Sequence, residues 1–169
     1  MDLIQRSSPH CDERPEGTKV SLLVIHGISL PPGEFGGEWI DDLFMGTLDA
    51  GAHPYFQQLE GLRVSSHFLI RRDGTLVQYV PTQLRAWHAG VSRWKGREMC
   101  NDFSIGVELE GADDVPFAEP QYESLAHLTR SLQLRYGVLD IAGHSDIAPG
   151  RKTDPGPWFD WVRYRASVT

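Results

Sequence analysis

A mixed α/β fold, of the α/β or α+β kind, is what this sequence predicts, and three observations carry the prediction. Short apolar runs alternate with loops rich in Gly and Pro, two of those runs flank an Asp-Gly turn, and one clear amphipathic helix comes late in the chain. Its 169 residues fit one unit on the usual scale of roughly 100–200 residues per domain. A single domain over 1–169 is therefore expected, with 1–19 as an irregular segment lying over it.

Taken in order, the first strand is expected over about residues 20–26, where Ser21-Leu22-Leu23-Val24-Ile25 leads into His26. The Gly/Pro-rich loop Ile28 to Gly37 follows, and Ile40, Leu43 and Phe44 then share one side of a short helix from Glu38 to Met45. Val64 to Arg71 and Leu76 to Val80 read as two strands joined by Arg72-Asp73-Gly74-Thr75, a strong hairpin signal. Along Ser104 to Leu109, two-residue alternation puts Ile105, Val107 and Leu109 on one face and Ser104, Gly106 and Glu108 on the other. A helix from about Pro120 to Tyr136 spaces Leu125, Leu128, Leu132 and Tyr136 for one face and stops at Gly137. A last amphipathic segment runs from about Trp158 to Arg165, and no internal repeat divides the chain.

Composition excludes several classes of function. The net charge of −7 is spread without a basic block, so no nucleic-acid footprint is present. No run approaches the roughly 18–20 apolar residues of a membrane helix, and Met1 to Gly17 is polar with both charge signs, so neither a signal peptide nor a membrane partner is expected. Cys11 and Cys100 lack a CxxC partner and read as free thiols of a reducing cytoplasm.

Three residues carry the candidate chemistry. His26 closes the first strand, His144 follows Asp140-Ile141-Ala142-Gly143, and Asp154 lies in the Pro/Gly-rich stretch from Pro149 to Pro157. Imidazole nitrogen and carboxylate oxygen suit zinc, and a catalytic zinc takes three protein ligands and keeps a fourth position open. Spacing alone does not single out this trio, because His10, His53, His67, His88 and His127 compete for the role. His127 suits a helix surface, His53 before Pro54 a turn, and His67 either a core position bonded to backbone or a cleft wall. His88, between Trp87 and Ala89, suits either a ligand-contacting loop or a packed one. His10, Cys11 and Asp12 are adjacent and do not easily converge on one ion. Glu108 is the lone carboxylate on the polar face of an apolar strand, where desolvation lifts a carboxyl toward acid–base work; a surface glutamate is the plainer alternative. Lys152 lies two residues before Asp154, on the same side of an extended loop, where its ammonium suits an oxyanion or simply solvent.

Several long stretches, in order, resemble one family. They are Leu23-Val24-Ile25-His26, the loop Ile28 to Gly37, Phe68-Leu69-Ile70-Arg71-Arg72-Asp73-Gly74, Arg85-Ala86-Trp87-His88-Ala89-Gly90, Cys100 to Gly111, Gly143 to Pro149, and Arg151 to Pro157. Over roughly residues 7–168 the chain resembles the AmpD-like N-acetylmuramoyl-L-alanine amidases, whose wider family includes phage lysozyme-like amidases and peptidoglycan-recognition proteins. The resemblance implies a central mixed sheet flanked by helices, with a zinc cleft at one sheet edge. It implies one Zn2+ held by His26, His144 and Asp154, Glu108 as catalytic carboxylate and Lys152 as transition-state cation. Arg63 matches a peptide-contacting position, and Trp87 and His88 are further candidates for holding substrate. The implied reaction is hydrolysis of the amide between the lactyl group of (1,6-anhydro-)N-acetylmuramic acid and the L-alanine of the stem peptide. Soluble anhydromuropeptides are then the partners, cytoplasmic wall recycling the setting, and a monomer the expected state.

One departure concerns the substrate. Such amidases commonly carry Asn after the first zinc histidine, whereas Gly27 stands here and removes an amide that could bond the peptide. The N-terminal segment is also shorter than usual and the junction between the late helix and His144 is compact. The alternative function is a non-catalytic peptidoglycan-binding module on the same fold, and retention of the ligands with Glu108 and Lys152 argues against it. A serine hydrolase on His144-Ser145-Asp146 fails because adjacent residues do not build a triad and no G-x-S-x-G elbow surrounds Ser145.

Overall fold

The computed structural model describes residues 3–169. Six strands form the main sheet: β1 (Leu3–Gln5), β3 (Leu22–Ile28), β4 (Phe68–Ile70), β5 (Leu76–Gln78), β9 (Ser104–Glu110) and β10 (Asp140–Gly143). Their order is β1-β5-β4-β9-β3-β10, parallel throughout except for the antiparallel β4–β5 hairpin. Two short ribbons complete the strands: β2 (Cys11–Asp12) with β6 (Arg85–Ala86), and β7 (Arg93–Trp94) with β8 (Arg97–Glu98). The helices are α1 (Trp39–Met45), α2 (Glu119–Tyr136), α3 (His144–Ile147) and α4 (Trp161–Val168).

The expected mixed sheet flanked by helices is therefore present, and the paired register of β3 and β9 fixes which side chains share a face. Leu23, Ile25, Ile105, Val107 and Leu109 pack with Leu125, Leu128 and Leu132 of α2 and Tyr164 of α4. Leu22 and Val24 face the other way, with Phe103, Ala142 and Ile147, while α1 and Leu69, Val77 and Tyr79 close a second layer on the sheet. Every residue of β9 is buried, because layers cover both of its faces. The alternate set of that strand, Ser104, Gly106, Glu108 and Glu110, sits opposite Leu22, Val24, His26 and Ile28. The same register sets Glu108 beside His26 near the carboxyl ends of these strands.

The hairpin forms where Asp-Gly predicts it. The Gly74 N–H donates to Arg71 O (2.9 Å) and the Asp73 carboxylate accepts from the Thr75 N–H (2.9 Å). Gly74 is required twice over: its φ is +87°, and a Cβ there would lie 2.8 Å from the Pro120 carbonyl oxygen. β4 is shorter than the expected 64–71, because the chain before it turns its hydrogen bonding to a different segment: the Ser65 N–H donates to Trp87 O (3.0 Å). The last helix begins at Trp161 rather than 158, since Asp160 caps it by accepting the Arg163 N–H (3.0 Å).

The N-terminal segment corrects the sequence expectation. Of the segment expected to be irregular over 1–19, the described residues 3–19 carry two strands: β1 adds a parallel strand to the sheet edge and β2 pairs with β6. Leu3 and Ile4 stay exposed, so β1 is held by backbone bonds and shows no amphipathic pattern to read. Arg14 pins the segment from beneath, donating to the carbonyls of Asn101, Asp102, Thr82 and Ser104. Cys11 and Cys100 are free. Among the described residues, no helix is long and apolar enough to cross a membrane.

Candidate metal centre and catalytic cleft

Three elements bring the split trio together at the carboxyl ends of the parallel strands. β3 delivers His26, the first turn of α3 after β10 delivers His144, and the loop after α3 delivers Asp154. His26 Nδ1 lies 2.9 Å from His144 Nδ1, and Asp154 Oδ2 lies 3.2 Å from each. A tetrahedral zinc with bonds of about 2.0–2.1 Å separates its ligand atoms by about 3.3 Å, so this donor set fits the ion. Two of the three candidates are also held in place: His144 Nε2–H donates to Ala89 O (3.0 Å), and Asp154 Oδ2 itself accepts the Gly27 N–H (3.3 Å). Donation from Nε2 leaves the His144 Nδ1 lone pair facing the cluster.

Burial shapes the charges here. It holds the His26 imidazole below its ordinary value, against the pull of Asp154. Burial works to raise the Asp154 carboxyl, yet bonding to His144 and His26 outweighs it and keeps the group well below the carboxylate range. Glu108 stands directly across from His26 in the sheet register, its Oε1 3.9 Å from His26 Nδ1. Burial first, and the charge of Asp154 second, push its carboxyl well above its ordinary value while Lys152 works in the other direction. Its Oε2 is buried with no hydrogen-bond partner, a polar atom left unsatisfied in a residue that lines the cleft.

The cleft has a volume of about 410 Å³ and is lined by His26, Glu108, His144, Lys152 and Asp154 together with Tyr55 and Trp87. Lys152 is exposed and makes no ion pair among the described residues. Trp87 presents one wall, its indole N–H donating to Asp12 (3.1 Å) and its ring stacked on His10. Arg63 lies instead on an adjoining hollow with His10, Gly46 and Asp49, separated from the cleft by the shared side chains of Leu43, Leu59 and Leu62. His88 touches the cleft but stands mainly behind His26, with both ring nitrogens engaged.

The competing histidines resolve individually. His67 takes the core alternative: Nδ1 accepts the Gly106 N–H (3.0 Å) and Nε2–H donates to Leu84 O (3.0 Å). His53 caps a 3₁₀ turn over Pro54–Leu59, His127 is exposed on α2, and His10 bonds Val64 O. Asp146 accepts the Gly143 N–H rather than facing a serine, so no triad forms around Ser145. Sequence reasoning missed Asn101, whose Oδ1 accepts the N–H groups of both His88 and Ala89, and Tyr55 on the cleft wall. Asn101 lies inside the family-like stretch Cys100 to Gly111, but nothing in its spacing links it to residue 88.

Comparison with known proteins agrees with this architecture. The N-acetylmuramoyl-L-alanine amidase family model matches residues 16–157. The chain is 62% identical over 164 residues to the 1,6-anhydro-N-acetylmuramyl-L-alanine amidase AmpD of Citrobacter freundii, covering 96% of this chain and 88% of the relative. A crystal structure of a selenomethionine derivative of AmpD superimposes with a TM-score of 0.97 at 60% identity, over 99% of this chain and 94% of that one. The Escherichia coli amidase AmiD, in complex with its substrate anhydro-N-acetylmuramic acid-L-Ala-D-γ-Glu-L-Lys, matches at 30% identity and a TM-score of 0.65, over 92% of this chain and 60% of that one.

Proposed function

This chain belongs to the N-acetylmuramoyl-L-alanine amidase family, and from that premise we propose that it is a zinc amidase of muropeptide recycling. Its reaction is hydrolysis of the amide between the lactyl group of 1,6-anhydro-N-acetylmuramic acid and the L-alanine of the stem peptide. The observation that carries this reading is the convergence of His26 Nδ1, His144 Nδ1 and Asp154 Oδ2 within 3.2 Å of one another beside an unpartnered Glu108 oxygen.

A zinc ion held by those three atoms supplies a Lewis acid that polarises the amide carbonyl and makes water acidic enough to attack near neutral pH. Glu108 takes the proton of the attacking water on its unpartnered Oε2 and returns it to the alanine nitrogen, so that the C–N bond breaks with a neutral amine leaving. Its raised carboxyl suits that transfer, since an ordinary carboxylate is too weak a base to take the proton from water, and the protonated group is still acid enough to pass it to the amine. Lys152 offers an unpaired ammonium to the oxygen that becomes negative as water adds. Trp87 provides an apolar wall for the sugar or lactyl group. Arg63, on the adjoining hollow, is placed to meet the far end of a stem peptide that runs past Leu62. The products are a lactyl carboxylate and a peptide with a free N-terminus.

Small soluble muropeptides are the substrates on this reading, the cytoplasm the compartment, and a monomer the working unit. The family membership and the AmiD complex with an anhydromuropeptide support the substrate class. The experiment is mass-resolved hydrolysis of anhydro-N-acetylmuramyl tripeptide beside intact peptidoglycan, with zinc, after chelation and after zinc return. Tripeptide released from the soluble substrate, lost on chelation and restored by zinc, is the expected result. A folded, zinc-loaded protein that binds the muropeptide without cleaving it returns the chain to the peptidoglycan-binding alternative.

A further inference from the structure

The two histidines of the metal centre are anchored by different means. His144 Nε2 faces the Ala89 carbonyl, which only accepts, so its tautomer is fixed. His26 Nε2 faces another imidazole, His88 Nδ1, at 2.8 Å, and a ring nitrogen either donates or accepts. His88 in turn meets the Ser104 hydroxyl at 3.0 Å through Nε2, and the hydroxyl also plays either part. The orientation of the His26 lone pair therefore depends on a neutral chain, His26–His88–Ser104, with no carboxylate or carbonyl at its end.

The fold builds space for that chain. His88 lies over Gly106, where a Cβ would come 2.5 Å from the imidazole Cγ, so only glycine admits the ring at that depth. Ser104 and Gly106 face the same side of β9 as Glu108. Asn101 grips the backbone of residues 88 and 89 through one oxygen, so the segment that carries His88 also presents the Ala89 carbonyl to His144. One short segment thus stands behind both imidazole ligands.

We propose that His88 is a positioning residue of the metal centre: its Nδ1 accepts the His26 Nε2–H, keeping the His26 Nδ1 lone pair toward His144 and Asp154, while Ser104 Oγ receives the His88 Nε2–H. This places His88 behind the metal and not against the substrate, and it rests on the zinc reading above. Partners that orient a ligand imidazole raise metal affinity by about 10–100-fold. His88 works through a neutral ring, so the cluster gains orientation without a further negative charge.

The test uses ring-nitrogen NMR on zinc-loaded protein labelled with 15N-histidine, and zinc affinity by competition with a chromophoric chelator. In the wild type, His26 is expected protonated at Nε2, with His88 unprotonated at Nδ1 and protonated at Nε2. His88→Phe keeps a ring but removes the acceptor and should weaken zinc by about 10–100-fold. His88→Asn presents Oδ1 near the Nδ1 position and should recover most of that loss, while Ser104→Ala gives a smaller one. A wild-type His88 carrying its proton on Nδ1, or a folded His88→Phe protein within about twofold of wild type, overturns the proposal. If His88→Phe does not fold, the wild-type spectrum and Ser104→Ala decide the matter. A wild type that takes up no zinc defeats the proposed function itself, and this inference falls with it.

Discussion

Glu108 and His26 are paired residues on adjacent parallel strands, and their side chains rise from the same face of the sheet to within 3.9 Å at Oε1 and Nδ1. The distance between the proposed proton acceptor and the proposed metal ligand is therefore set by interstrand geometry, one of the stiffest dimensions in the molecule. Glu108→Gln keeps the shape and volume of the side chain but cannot carry the proton. It should leave zinc stoichiometry and the fold unchanged while lowering kcat by about 10²–10⁴-fold. Metal analysis beside steady-state kinetics checks this, and a Gln variant with near wild-type turnover would remove Glu108 from the mechanism.

Lys152 separates charge stabilisation from binding. Its ammonium has no ion-pair partner among the described residues, so deleting it strands no buried carboxylate and should change stability little. Lys152→Ala is expected to reduce kcat by about 10²–10³-fold with a much smaller change in KM, as for loss of a donor to a developing oxyanion. A change confined to KM would mean that the lysine only binds substrate.

Asp154 is the proposed ligand whose removal is most informative, because its Oδ2 also accepts the Gly27 N–H and lies against both imidazoles. Asp154→Ala should abolish tight zinc binding and with it the rise in melting temperature that zinc gives the wild type. At a free zinc concentration of about 100 times Kd that ligand-linked stabilisation is about 2.7 kcal/mol. Differential scanning with and without zinc reads it directly; an Asp154→Ala protein that still gains the full shift would place the metal elsewhere.

How much of this was legible in the sequence depends on whether a signal was local. The Asp73-Gly74 hairpin, the alternation along Ser104 to Leu109 and the spacing of α2 are local patterns, and the structure follows them within a few residues. The residue types of the trio were legible, but His26 and His144 are 118 positions apart, and no periodicity joins them. Only the ordered motifs of the family connected them. β1 was illegible because a strand held at an edge by backbone bonds leaves its side chains exposed and unpatterned. The His26–His88–Ser104 chain was illegible for another reason: it crosses three elements and depends on an absent Cβ at Gly106.

Gly27 tests substrate preference without touching the metal. A Cβ there would meet Phe117 and Pro155 at 3.6 Å, ordinary van der Waals contact, and the position lines the cleft. Gly27→Asn should therefore fold normally, keep zinc, and restore an amide that lowers KM for the muropeptide with kcat little altered. Unchanged KM across tri- and pentapeptide substrates would show that the family's usual Asn contributes nothing in this cleft.

His67 predicts a pH dependence of stability. Burial, opposed by its bond to Leu84 and aided by the Arg14 charge, lowers its imidazole from 6.5 to about 3. The unfolded chain then binds more protons than the folded one between those values, so stability rises with pH through the window. The contribution is fully present above about 6.5 and is lost as pH falls toward 3, at up to about 1.4 kcal/mol per pH unit. His67→Asn keeps an acceptor for the Gly106 N–H but removes the titrating ring. The variant should be less stable than wild type at pH 7.5, because the Nε2–H bond to Leu84 is gone, yet its stability should fall less steeply toward acid. Urea denaturation of zinc-free protein at pH 7 and pH 5 gives the comparison, with the wild type expected to lose about 2 kcal/mol more than the variant. Using the difference between the two proteins cancels His26 and His88, which burial also lowers. Equal losses in both proteins would mean that the His67 ring titrates in the folded state much as it does in the unfolded chain.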